Sequence, residues 1–74
     1  MSLYQEIVAA KIEHDNHESD LYFIDNDESR KILAKYPQKQ ENAKRFKHAT
    51  TGAMWWDVPF AFEPFWEAKQ KRGT

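Results

Sequence analysis

Between residues 14 and 20 stand two imidazoles and three carboxylates, His14, Asp15, His17, Glu18 and Asp20. Imidazole nitrogen and carboxylate oxygen are zinc ligands, and two ligands in one short stretch can begin a metal site. No recognised zinc spacing continues from His14 and His17, however, and a run this rich in Asp and Asn has the composition of a solvated turn. Ser19 lies among the same acids and histidines, but it lacks the flanking glycines with which a nucleophile elbow presents its hydroxyl. Two glycines in the whole chain cannot build a loop that cradles phosphate. The chain has no cysteine, which excludes a thiolate metal site, a cysteine nucleophile and a disulfide. A chain of this length must also supply every wall of any substrate pocket. These features point away from an enzyme and away from a bound metal or cofactor.

Charge is the stronger signal. Residues 1–29 carry one base, Lys11, against eight acids, whereas residues 30–50 carry seven bases against Glu41 alone. The net charge of −1 hides this division. Two arrangements satisfy it. The halves lie side by side and neutralise one another, or an acidic face meets a basic partner while a basic face meets phosphate. On the second arrangement Asp15, Glu18 and Asp20 are the charged contacts with a partner protein.

Aromatic residues are placed as unevenly. Eleven of the 74 are Phe, Trp or Tyr, and six of them lie between Trp55 and Trp66. A small domain has too much surface for its volume to bury every large ring. Trp56 and Trp66 are therefore expected to anchor a partner, and about half of the rings of Val58–Trp66 to form a homodimer seam or a partner-binding patch. The other rings of Val58–Trp66, with Phe60 and Phe62 turned inward, are expected to close the core. An alternative reading uses Lys44, Arg45 and Lys47 with Trp55, where bases interleaved with aromatics hold single-stranded nucleic acid by phosphate contact and stacking.

These residues need a scaffold, and the pattern predicts one. The 8.8 kDa mass, 41% hydrophobic and 31% charged content fit a single folded domain over residues 1–74. Ser2 and Gln5 have capping-box spacing, and Leu3, Tyr4, Ile7, Val8 and Ile12 recur with helical period. The polar stretch 14–20 reads as a loop, and Leu21-Tyr22-Phe23-Ile24 as a strand. Asp25–Glu28 suits the positive end of a second helix, which Pro37 stops. Thr51-Gly52 separates two strand-like runs at 43–50 and 53–58, a hairpin signal. Pro64 sits at the first position of a final helix. The expected fold is α+β in the order α-β-α-β-β-α, a three-stranded and largely antiparallel sheet with helices packed on it. No apolar run reaches the roughly 20 residues that span a bilayer, and the N-terminus lacks a signal-peptide pattern. A cytosolic location is expected.

Leu3-Tyr4-Gln5-Glu6-Ile7-Val8, His17-Glu18-Ser19-Asp20-Leu21-Tyr22 and Val58-Pro59-Phe60-Ala61-Phe62-Glu63-Pro64-Phe65-Trp66-Glu67-Ala68 together resemble small accessory proteins of bacteriophages and prophages. The likeness spans both ends of the chain, is weaker in the middle, and carries no activity or catalytic residue over to any position. It implies a protein made inside a bacterial host. Such proteins commonly bind and block a host protein or ribonucleoprotein, including CRISPR complexes. The function expected from residues and resemblance together is non-enzymatic protein binding.

Overall fold

A computed structural model of the chain describes residues 2–64. The first helix, α1 (Leu3–Ala9), begins with the expected capping box: Ser2 Oγ accepts from the Gln5 amide at 3.1 Å, and Gln5 Oε1 accepts from the Ser2 amide at 2.9 Å. It is shorter than the apolar stripe suggests. Lys11 adopts a left-handed conformation (φ 58°) that turns the chain, so Ile12 enters the core from beyond the helix.

The stretch expected to be a loop is instead a strand, β1 (His14–His17), which pairs antiparallel with β2 (Asp20–Ile24). None of its four side chains is buried, so no apolar alternation betrays it; backbone pairing with β2 orders it. The second helix, α2 (Asp27–Leu33), starts at Asn26, whose Oδ1 accepts from the Ser29 amide while Ser29 Oγ accepts from the Asn26 amide. Pro37 does not simply stop it. Proline occupies the first turn of a further short helix, α3 (Pro37–Asn42), where its missing N–H needs no partner. Then β3 (Lys44–Lys47) and β4 (Met54–Val58) form the expected hairpin, with Gly52 at φ 76° in its loop.

Among the described residues the sheet therefore has four strands, not three, in the order β1-β2-β4-β3, all antiparallel. The observed order is α-β-β-α-α-β-β, and the class is α+β. Beyond its opening residues 63 and 64, the final helix expected at Pro64 lies outside the described residues. No helix among the described residues is long and apolar enough to cross a membrane.

Strand residues alternate between faces, and the register sorts them. Leu21, Phe23, Trp56 and Val58 share the face packed on α1 and α2. There Leu21, Phe23 and Val58 join Leu3, Ile7, Ile12, Ile32, Leu33 and Ala61 in one core. The other face carries Asp15, His17, Asp20, Tyr22, Ile24, Lys44, Phe46, Trp55 and Asp57. A side-chain lock ties α1 to the segment that follows α2. Glu6 of α1 accepts from Lys35 Nζ at 2.7 Å and from the Tyr36 hydroxyl. These two hydrogen bonds, Lys35 first, hold the Glu6 carboxyl below its ordinary range, and the bond to Glu6 pushes the Tyr36 phenol up to about 12.

Candidate functional site

The β1–β2 hairpin turns in two residues, Glu18-Ser19, between the paired His17 and Asp20. The turn is tied to the segment that follows β4. Ser19 C=O accepts from the Phe62 amide at 2.8 Å, and Asp20 Oδ1 accepts from the Phe60 amide at 3.3 Å. Phe62 in turn meets the edge of Tyr4 of α1, ring centroids 5.2 Å apart. The three sequence stretches 3–8, 17–22 and 58–62 thus meet at one corner of the molecule.

Three carboxylates gather at this corner. Asp15 and Asp20 share the sheet face away from α1 and α2, and Glu18 stands at the turn beside them. None of the three makes an ion pair among the described residues. The negative field extends along the same face. Tyr22 lies in register with Asp15 on one side and Asp57 on the other. Its phenol is pushed up by burial first, and then by Asp57, Asp20 and Asp15. Burial, then Asp20, raises the Asp57 carboxyl against the opposing pull of Lys44. Asp57 Oδ1 is buried without a hydrogen-bond partner among the described residues.

Two backbone conformations at the corner are strained. Glu18 has φ 54° and Phe60 φ 59°, both in the left-handed region that glycine occupies without penalty. Phe60 is also 63% exposed, so the inward orientation expected for it is wrong. The two hydrogen bonds from 60 and 62 to the β1–β2 turn fix the backbone of the segment there. Glu18→Gly is therefore expected to raise stability by about 1 kcal/mol, the usual size of a left-handed penalty, as read by urea denaturation. A loss of stability would show that the Glu18 side chain has a structural task.

The remaining expected site residues are dispersed. His14 and His17 sit three apart on a strand and so face opposite ways. His14 Nδ1 lies 2.9 Å from Ile12 O with its ring on the edge of Tyr4, while His17 faces with Asp20. No group of three or more histidines and acids able to hold a metal occurs among the described residues. Trp56 is no free anchor. It is half-buried, donates from Nε1 to Asp25 Oδ1 at 3.0 Å, and lies under the Arg45 guanidinium 5.9 Å from its centroid. Trp66 lies outside the described residues.

The basic alternative loses its single surface. Lys44 and Phe46 belong to one face of β3, Arg45 and Lys47 to the other. Trp55 is only 5% exposed, packed in register between Ile24 and Phe46 with the His48 ring 5.0 Å away, so it offers no stacking platform. Part of the charge division is neutralised internally. Asp25 pairs with Arg30 at 2.7 Å and Arg45 at 3.5 Å, and Glu6 pairs with Lys35 at 2.7 Å.

Sequence reasoning missed Phe60, Tyr22 and Asp57. The alternation Asp20-Leu21-Tyr22-Phe23, with Trp56-Asp57-Val58, carried the signal for the last two. Phe60 gave none, because its exposure follows from a backbone conformation unusual for phenylalanine. Comparison with protein-family models, with curated proteins and with solved structures finds no match for this chain.

Proposed function

We propose that this chain is a non-enzymatic protein-binding module of phage type, an inhibitor that docks on a host nucleic-acid-handling or defence complex. The contact surface is the acidic corner of Asp15, Glu18 and Asp20, with Phe60 as the aromatic anchor. One observation carries this reading: three carboxylates without ion pairs among the described residues lie at the turn to which the Phe60 amide is bonded through Asp20, and Phe60 is 63% exposed on a strained backbone. Strain of that kind concentrates at functional sites. The carboxylates steer a basic partner and set orientation, while a desolvated ring supplies affinity.

The test is affinity capture from bacterial lysate at low salt, with and without nuclease, comparing the parent chain with D15A/E18A/D20A and with F60A. A defined complex that survives nuclease, is recovered by the parent and is lost with either variant is the expected outcome. Direct titration of that partner should then show affinity falling about tenfold or more in F60A, as for an interface hot spot. Equal capture by all three chains would refute the corner as the contact surface. Material that vanishes with nuclease would refute the protein-binding reading and favour nucleic acid.

A further inference from the structure

The two edges of the sheet are finished differently. Main-chain hydrogen bonds of an antiparallel pair alternate, so a single bond fixes the pattern of a whole strand. The Ile24 amide donates to Glu13 C=O, which turns the amides and carbonyls of Asp15 and His17 towards β2 and those of His14 and Asn16 outward. The His48 amide donates to Ala53 C=O. By the same alternation Lys44 and Phe46 bond to β4, and the amides and carbonyls of Arg45 and Lys47 face outward. On β1 the outward Asn16 amide is stopped by the Asp15 carboxylate at 2.8 Å. On β3 no side chain among the described residues stops the outward groups.

We propose that the outer edge of β3 accepts a fifth strand, an extended acidic segment of a partner protein. Charge selects the occupant. Three of the four β3 residues are cationic, and all three are exposed. Asp25 partly neutralises Arg45, and no acid forms an ion pair with Lys44 or Lys47 among the described residues. A second β3 edge would set lysine and arginine against lysine and arginine, which disfavours self-pairing. A strand with Asp or Glu at successive positions on one face meets complementary charge instead. Main-chain bonds to Arg45 and Lys47 would supply the pairing, and the side chains the selection. This surface is at the opposite edge of the sheet from the acidic corner and does not depend on it.

The test uses the full chain and three synthetic ten-residue probes: a peptide alternating Glu with Val, the same peptide N-methylated at alternate amides, and oligothymidylate of matched charge. Amide hydrogen exchange is followed residue by residue. The acidic peptide should slow exchange at Arg45 and Lys47 by roughly tenfold, and the N-methylated peptide, equal in charge, should not. Lys47→Pro should abolish the effect by removing an outward donor. K47E keeps the backbone donors, reverses a charge on the face that Arg45 shares, and should also remove most of the effect, which guards against misfolding in the proline variant. Unchanged exchange, or equal protection by the N-methylated peptide, would overturn strand addition. Protection by oligothymidylate alone would assign the edge to nucleic acid. Protection that grows with protein concentration, without peptide, would assign it to a second copy.

Discussion

Phe23→Ala is expected to remove about 4 kcal/mol, within the 3–5 kcal/mol typical of a buried phenylalanine truncated in a core. Phe23 is 0% exposed and lies in a central strand, in register with His14 of β1 and Trp56 of β4. Its ring is a main support of the core between the sheet, α1 and α2. A chain of this size has a total stability of about 4–11 kcal/mol, with no disulfide to limit its unfolded state. The variant should therefore keep about 7 kcal/mol at most, and at the low end of that range it no longer folds. Urea denaturation followed by circular dichroism measures it, and Phe23→Leu, which keeps most of the apolar volume, should recover most of the loss. A cost below about 1.5 kcal/mol for alanine would mean that the ring is not the core residue described above.

Asp25→Ala should cost about 2 kcal/mol. The Asp25 side chain is 2% exposed and accepts from Arg30 Nε at 2.7 Å, Arg30 Nη2 at 2.9 Å and Trp56 Nε1 at 3.0 Å. Truncation strands a half-buried indole N–H. Both arginines are about half exposed and regain water, which keeps the loss below that of a fully buried pair. The same contacts make stability depend on pH. The bond from Arg30, followed by that from Trp56, holds the Asp25 carboxyl below its ordinary range, against the opposing effect of burial. A lowered carboxyl contributes fully above its unfolded value near 4 and is lost as pH falls through the lower folded value. The gap between parent and Asp25→Ala should accordingly be widest near neutrality and close below about pH 4. A gap that stayed constant down to pH 2 would show that packing, not ionisation, accounts for the loss.

Legibility in the sequence followed the physics of each element. Ser2 and Gln5 marked α1, and Asp25–Glu28 marked the start of α2, because caps and dipole charges are local. Leu21–Ile24 was visible as a strand because one face of it is buried. His14–His17 was not, since an edge strand with polar residues on both faces buries nothing and shows only its polarity. Pro37 was read through its power to end helices and not through its equal fitness to begin one. The acids 15, 18 and 20 were grouped for their closeness in a supposed loop, whereas the strand pairing is what places Asp15 and Asp20 on one face. Trp55 and Trp56 are less open than their sequence suggested for a different reason. Trp55 and Trp56 occupy opposite faces, but each is covered, the first by its strand neighbours and His48, the second by Asp25 and Arg45. Neighbours from other strands decide that, and no local pattern contains them.

The strand order also sets how the molecule is assembled in time. Within each hairpin, β1 with β2 and β3 with β4, the partners are close along the chain and can find one another quickly. The β2–β4 seam, where Leu21 meets Val58, joins the hairpins across half the chain and closes a loop that contains α2 and α3. The entropy of that closure must be overcome before the core forms. Docking of the two hairpins is then the slow event of folding, and residues of the seam govern its rate.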